Sequence, residues 1–173
     1  MPPVGGRDNT PVRALTAPPA LVYAARVPVS PLFHLDIAAV STDIDDLGHV
    51  SNLVYLRWVL EVAQGHSAAL GYDMAAYRRL GAVFVVRRHE IDYLSSAYAG
   101  DRIRLTTWVE SWKAVSSVRM TTISRITGSA EGDGEVAVEL ARATTLWAMI
   151  NLDSGKPQRI AAELRQAFAD PAA

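Results

Sequence analysis

The sequence predicts an α+β fold in which an antiparallel sheet wraps around one long central helix. The stretch from Asn52 to about Leu70 is apolar on almost every side, as expected of a helix enclosed by other elements. Four strand patterns follow within residues 82–150, separated only by turn signals. Consecutive strands with short turns favour antiparallel pairing, and the long helix is the element available to cover one face of the sheet.

The chain is long enough, at 173 residues, for one domain with a proper core. Residues 1–31 hold seven of the nine prolines, which predicts a flexible, extended arm. That arm is either a plain tail or a strap laid across a partner subunit. Residues 32–173 are expected to form the single folded domain.

The folded part begins with a predicted strand over residues 33–41 and a loop over residues 42–50. The long helix follows and ends at Gly71, a residue type that favours helix C-termini. A short second helix is expected over residues 73–80.

Four predicted strands make up the second half of the domain. They cover residues 82–93, 102–113, 115–126 and 135–150, and a terminal helix follows over residues 160–168. The arginines on these strands are interpreted as solvated residues, or else as a rim that binds the phosphates of a ligand: Arg87, Arg88, Arg119 and Arg125. The aromatic residues are expected to pack in the core or to line a tunnel for an apolar ligand: Phe84, Tyr93, Trp108 and Trp112.

The residues with catalytic potential lie directly before the long helix. They are three acids, a Gly-His pair and two residues of the type that caps helices: Asp43, Asp45, Asp46, Gly48, His49, Ser51 and Asn52. A carboxylate and an imidazole therefore stand at the mouth of a buried helix. That helix end presents free backbone N–H groups and the positive end of a dipole, which can hold a developing oxyanion.

This run resembles the signature of hotdog-fold acyl thioesterases. The signature is Asp-x-Asp, a short gap, Gly-His-Val, then Asn-x-x-Tyr and an aromatic residue on the helix. In this chain it consists of Asp43, Asp45, Gly48, His49, Val50, Asn52, Tyr55 and Trp58. A weaker likeness extends from about Phe33 to about Phe168. The resemblance implies a hotdog fold, assembly as homodimers or homotetramers, and sites at the interfaces between subunits.

The resemblance also implies roles for individual residues. Asp45 would be the general base that activates water, or the nucleophile that forms a mixed anhydride. His49 would polarise the carbonyl or orient water, or else cap the helix or pack at a dimer interface. Asn52 would lie near the thioester, or serve as a simple N-cap. The backbone N–H groups from Ser51 to Leu53 would hold the oxyanion.

Glu61, on the helix, is a secondary candidate because a helix glutamate is catalytic in another branch of hotdog thioesterases. It follows Arg57 by four residues, so a structural Arg57–Glu61 pair is the favoured interpretation. Two features depart from the plant acyl-carrier-protein thioesterases. Leu47 stands where they have an asparagine, and this chain has no cysteine. These departures argue against a plant-type triad.

The leading function is an acyl-CoA thioesterase that releases a fatty or aromatic acid and CoA. A thioesterase acting on acyl-carrier protein is the alternative, because the segment 146–160 resembles the end of that sister family. A non-catalytic acyl-CoA-binding module and a hotdog dehydratase are further alternatives. CoA enters only as part of the substrate, so no cofactor is predicted.

Composition excludes several other classes. The absence of cysteine excludes disulfides, thiolate nucleophiles and cysteine zinc clusters. A net charge of −1, from 17 basic and 18 acidic residues, gives no electrostatic case for nucleic-acid binding. No apolar run is long enough to span a membrane, and the histidines form no metal pattern. A cytoplasmic protein without a metal is therefore expected.

Overall fold

The computed structural model describes residues 30–128 and 134–169. The strands are β1 Phe33–Ala38, β2 Ala82–Tyr93, β3 Arg102–Trp112, β4 Ser116–Thr127 and β5 Val136–Asn151. The helices are α1 Asn52–Ala69, α2 Met74–Arg79 and α3 Ala162–Ala169. The predicted arm over residues 1–31 lies almost entirely outside the described residues.

All strand pairs are antiparallel, and the sheet has the order β1-β3-β4-β5-β2. The predicted α+β architecture and the order of its elements are confirmed. One predicted boundary is wrong: β1 ends at Ala38, and Ser41–Asp43 forms a 3-10 turn instead of continuing the strand. The Asp43 side chain accepts the backbone N–H of Val40 at 3.0 Å, and this bond turns the chain away from the sheet.

Helix α1 packs its apolar side on the sheet. Trp58, Val59 and Val62 are buried there, and they share one core cluster with Leu105 and Ile123 of the central strands. The helix has 18 residues and is therefore about 27 Å long. It ends before Gly71, whose φ of 82° is readily adopted only by glycine.

The face of β4 that meets α1 carries Arg119, Thr121 and Ile123. Arg119 pairs with Val109 in β3 and with Thr145 in β5, both of which are buried. The interpretation of Arg119 as a solvated strand residue is therefore wrong: its exposure is only 6 %. Strand alternation places it on the same side as Ile123, which is fully buried.

Asp43 ties the loop after β1 to α1. Its Oδ1 lies 2.7 Å from Nη2 of Arg57, and its Oδ2 accepts the Val40 N–H. Its carbonyl oxygen accepts the N–H of Ser51 at 2.9 Å, immediately before the helix. The carboxylate is buried, with 3 % exposure. One acid therefore fixes both the loop and the start of α1.

His66, near the end of α1, is a buried histidine enclosed by aromatic rings. It stacks on Phe33 with ring centroids 5.2 Å apart and meets the edge of Phe168 at 5.0 Å. Its Nδ1 lies 3.0 Å from Nη1 of Arg119. Because a guanidinium can only donate, Nδ1 accepts and the ring proton resides on Nε2. Burial, and then the charge of Arg119, lower the pKa of His66 to about 4.

Replacing Asp43 with asparagine should lower the free energy of unfolding by about 1–3 kcal/mol, because a buried charge-assisted hydrogen bond is lost. Urea denaturation followed by circular dichroism measures this change. Asp46→Asn is the matched control, since Asp46 is exposed on the same loop. Equal stability of the two variants would contradict the structural role of Asp43.

His66 should make the protein less stable at acid pH. The pKa of His66 is about 4 in the folded chain, below the roughly 6.5 of an unfolded histidine. At pH values between these two, the unfolded state therefore binds more protons than the folded state. The contribution of neutral His66 to the free energy of unfolding is complete above pH 6.5 and falls as the pH drops towards 4. Between pH 6.5 and 4, the free energy of unfolding of His66→Gln should therefore fall by about 2–3 kcal/mol less than that of the wild type. Urea denaturation at several pH values measures this, with surface His34→Gln as control; parallel curves for His66→Gln and wild type would refute it.

Candidate active site

The loop before α1 folds into a tight turn that places Asp45 against His49. The N–H of Asp45 donates to the carbonyl of His49 at 3.0 Å, and the N–H of Gly48 donates to the carbonyl of Asp45 at 3.0 Å. Gly48 has a φ of 83°, a conformation that side-chain-bearing residues rarely adopt. The glycine of the motif therefore permits the turn that brings the acid and the imidazole together.

The Asp45 carboxylate has one engaged oxygen and one free oxygen. Its Oδ1 accepts the N–H of Leu47 at 2.9 Å, which fixes the orientation of the side chain. Its Oδ2 lies 3.7 Å from Nδ1 of His49, beyond hydrogen-bond distance. Both side chains are 31 % exposed, so a substrate or water can reach the free oxygen.

The start of α1 leaves one backbone donor open. The Ser51 N–H donates to the carbonyl of Asp43 at 2.9 Å, and the Leu53 N–H donates to Oγ of Ser51 at 3.3 Å. Both of the predicted oxyanion donors therefore already have acceptors. The N–H of Asn52, between them, has no acceptor among residues 30–128 and 134–169. Ser51 is the N-cap, so the alternative role of Asn52 as the cap is wrong.

Tyr55, the motif tyrosine, holds a neighbouring loop against the site. Its hydroxyl accepts the N–H of Ala97 at 3.1 Å and donates to the carbonyl of Ser95 at 3.4 Å. The carbonyl of Ala97 in turn accepts the N–H of Val50 at 2.8 Å. Tyr55 is therefore a structural residue of the motif, and burial raises the pKa of its hydroxyl.

Glu61 lies away from this cluster. It stands nine residues beyond Asn52 on α1, a rise of about 14 Å. Its Oε1 is 3.3 Å from Nε of Arg57, which also binds Asp43. The structural Arg57–Glu61 pair is present, and Glu61 is half-exposed on the rim of a separate cavity.

That cavity lies between the second half of α1, α2, the sheet and α3, and has a volume of about 430 Å³. Two of the predicted tunnel aromatics, Phe84 and Trp112, line it, whereas Tyr93 and Trp108 do not. Asp45, His49 and Asn52 are also absent from its wall. The charged and polar wall residues are Glu61, Gln64, Ser67, Tyr72, Asp73, Tyr77, Ser117 and Arg119.

Arg119 was the cavity residue that sequence reasoning misplaced. A signal for its burial was present in the alternation of β4, because it lies two and four residues before Thr121 and Ile123. Of the other candidate phosphate ligands, Arg88 pairs with Glu90 at 3.3 Å and Arg125 with Asp101 at 3.4 Å.

Within the described ranges, no three His, Asp or Glu side chains are grouped as metal ligands. No described helix is long and apolar enough to cross a membrane.

Solved structures similar to this chain include three named thioesterases. A 1,4-dihydroxy-2-naphthoyl-CoA thioesterase from Synechocystis has a TM-score of 0.68 and 20 % identity, covering 81 % of this chain and 97 % of that one. A putative oleoyl thioesterase from Lactobacillus plantarum has a TM-score of 0.71 and 17 % identity, covering 80 % of this chain. An acyl-ACP thioesterase from Bacteroides thetaiotaomicron has a TM-score of 0.64 and 22 % identity, covering 75 % of this chain.

The chain spans half the length of the oleoyl thioesterase and 49 % of the acyl-ACP thioesterase. Comparison with curated protein sequences gives no match. The structural likeness confirms the hotdog fold. The model of the thioesterase-like superfamily matches residues 40–168 and confirms the predicted enzyme class, a thioester hydrolase. Since the match covers well over half of the sequence, this chain belongs to the thioesterase-like superfamily.

Proposed function

We propose that the chain hydrolyses an acyl-CoA thioester to the free acid and CoA at the start of α1. The observation that carries the proposal is the Asp45 carboxylate, with one free and accessible oxygen, on the turn that leads to the open N–H of Asn52. Hydrolysis of a thioester needs a carboxylate near the carbonyl carbon and a donor near its oxygen. This loop offers both within eight residues of sequence.

Asp45 acts in one of two ways. As a general base it removes a proton from water, and the resulting hydroxide attacks the thioester carbonyl to form a tetrahedral oxyanion. As a nucleophile its Oδ2 attacks the carbonyl, expels the CoA thiolate and leaves a mixed anhydride that water then hydrolyses. In both routes the thiolate takes up a proton after departure, and the acid is released.

The oxyanion is held by the backbone of α1 in this proposal. The N–H of Asn52 is the donor of choice, because Ser51 and Leu53 direct theirs to internal acceptors. The positive end of the helix dipole adds to this stabilisation. The open donor thus refines the predicted oxyanion site, which had included the flanking N–H groups.

His49 orients the reacting groups. Its ring lies close enough to Asp45 Oδ2, at 3.7 Å, for a small rotation to complete a hydrogen bond. Such a contact would hold the carboxylate or an attacking water in line with the carbonyl. Its other nitrogen remains available to a substrate oxygen. We assign His49 a role secondary to that of Asp45.

The substrate is a fatty or aromatic acyl group on CoA. The names of similar proteins include both an aromatic CoA thioester and an oleoyl group. Structural similarity therefore does not decide between an aromatic and a fatty acyl group. Acyl-carrier protein is the alternative carrier, supported by the segment 146–160 and by likeness to an acyl-ACP thioesterase. We further propose a homodimer or homotetramer with sites between subunits, in fatty-acid metabolism of the cytoplasm.

Asp45→Asn should reduce kcat/KM by about 100-fold or more, because the variant cannot accept the proton or attack the carbonyl. The measurement is free-thiol release from a panel of aliphatic and aromatic acyl-CoAs, with matched acyl-carrier-protein thioesters alongside. Asp46→Asn, on the same loop, should retain wild-type turnover. Turnover that survives Asp45→Asn but disappears in Glu61→Gln would place the base on α1 and refute the assignment.

His49→Gln should lower kcat by about tenfold while leaving KM within about twofold, because the imidazole acts mainly on the orientation of the reacting groups. Steady-state kinetics on the best acyl-CoA from the panel measures both constants. His34→Gln, at an exposed position within β1, serves as the control for histidine loss. An unchanged kcat in His49→Gln would remove His49 from the proposed mechanism.

A further inference from the structure

Arg119 is a buried cation on the wall of the 430 Å³ cavity. It stands in the middle of β4, between two neighbouring strands, and is 6 % exposed. Its guanidinium lies 5.6 Å from the centre of the Phe168 ring. Nothing in the proposed hydrolysis at Asp45 uses this residue.

Within residues 30–128 and 134–169, the hydrogen bonds of Arg119 involve only one of its three nitrogens. Nη1 donates to Nδ1 of His66 at 3.0 Å and to Oγ1 of Thr107 at 3.2 Å. His66 is neutral at pH 7, because its pKa is lowered to about 4 by burial and by the nearby guanidinium. No carboxylate of the described chain lies within 4.0 Å of the guanidinium. Its partners are therefore uncharged.

The other two nitrogens of Arg119 have no acceptor among the described residues. Across the described parts of the chain, the buried side-chain atoms that lack both a partner and solvent contact are Trp147 Nε1 and Arg165 Nε. Arg119 Nε and Nη2 have no hydrogen-bond partner and are not among these sealed atoms, so they open into the space that the residue lines. Trp147 also lines the cavity, but its Nε1 is one of the sealed atoms, so only its ring surface is offered to a ligand.

The acids on the cavity wall do not neutralise this charge. Glu61 is half-exposed and pairs with Arg57, and Asp73 caps α2 by accepting the N–H of Ala76 at 2.7 Å. Burial lowers the pKa of Arg119 to about 10, which still leaves the guanidinium charged at neutral pH. A buried charge without a counter-ion is costly, so an anion that enters the cavity gains a strong partner.

We propose that this cavity binds the carboxylate of an apolar organic acid, with Nε and Nη2 of Arg119 as its paired donors. A guanidinium presents parallel N–H groups that match the two oxygens of a carboxylate. The apolar body of the ligand packs on Phe84, Trp112 and Trp147. This inference deepens the proposed thioesterase function and rests on it for the source of the acid.

Two sources supply the same chemistry. The acid is either the free product of hydrolysis, or a carboxylate at the far end of an acyl group that is still attached to CoA. A purely structural Arg119 would differ from both. It would affect unfolding but would give the cavity no preference between an acid and an alcohol of equal length.

Direct binding tests the site without any thioester. Trp112 and Trp147 line the cavity, so intrinsic tryptophan fluorescence is titrated with octanoate and, separately, with 1-octanol. The wild type should bind octanoate at least about tenfold more tightly than 1-octanol, because only the acid forms charge-assisted hydrogen bonds. Absence of that preference in the wild type overturns the proposal, whatever the variants do.

The variants locate the preference. Arg119→Met should bind 1-octanol as well as the wild type and lose the preference for octanoate. Arg119→Lys keeps the positive charge but lacks the two parallel N–H donors of a guanidinium, and it should retain only part of the preference for octanoate. Arg142→Met is the matched control, because Arg142 is exposed on β5 and pairs with Glu139. A preference that persists in Arg119→Met overturns the assignment.

Kinetic arms separate the two sources. If the acid is the far end of the thioester, the hexadecanedioic acid mono-CoA thioester should have a KM about tenfold below that of palmitoyl-CoA, in the wild type only. A chain of this length is matched to the rise of α1 from Asn52 to His66, which contacts Arg119. If the acid is the product, the two KM values agree, and octanoate inhibits the wild type but not Arg119→Met. Either result supports the carboxylate site, and the absence of both in a chain that hydrolyses palmitoyl-CoA overturns it.

The two proposals fail separately. A chain that prefers octanoate over 1-octanol in an Arg119-dependent manner but hydrolyses no thioester refutes the thioesterase proposal alone. A chain that hydrolyses octanoyl-CoA through Asp45 but shows no preference for the acid refutes the cavity site alone.

Discussion

The buried carboxylate of Asp43 is the interaction on which the arrangement of the site depends. The carboxylate binds Arg57 on α1 and the N–H of Val40 after β1. The backbone carbonyl of the same residue accepts the N–H of Ser51. These bonds set where the helix begins and how the preceding loop approaches it. The open N–H of Asn52 exists because Ser51 is held on one side by Asp43 and caps the helix on the other.

Asp43 and Asp45 are two residues apart, yet their surroundings make one structural and the other available for chemistry. Asp43 is buried with both oxygens bonded, whereas Asp45 is partly exposed with one oxygen bonded to its own turn. A carboxylate that is 3 % exposed, with both oxygens bonded to the protein, is out of reach of a thioester or an attacking water. The division of roles therefore follows from hydrogen bonding, since residue type is the same at both positions.

Periodicity was sufficient to predict the elements, because α1 and the strands bury continuous apolar faces that repeat at the helix and strand periods. The Gly48 turn and the capping residues before α1 were visible for the same local reason. The position of Arg119 was not predicted correctly. Its side of β4 is shared by Thr121 and Ile123, but a lone arginine in a strand is ordinarily solvated. Burial here comes from His66 and Phe168, which are far away in sequence.

Which backbone N–H stays open at the start of α1 was not predicted, for a related reason. Ser51 and Asn52 are both good capping residues, and sequence alone does not decide which one turns its oxygen onto the helix. The choice is made by the Asp43 carbonyl, which fixes Ser51 through its N–H. Once Ser51 is the cap, the N–H of Leu53 is occupied and that of Asn52 is free. A tertiary contact thus selects the backbone group that is offered to the substrate.

A buried cation beside an apolar wall also has a consequence for selectivity. An acyl chain with an apolar end that filled the cavity would remove water from Nε and Nη2 of Arg119 and give them no acceptor in return. An acid of the same length would remove the same water and replace it with two hydrogen bonds. Rejection of the wrong ligand therefore contributes as much to discrimination as attraction of the right one. The costly burial of Arg119 is then the feature that would make the cavity selective.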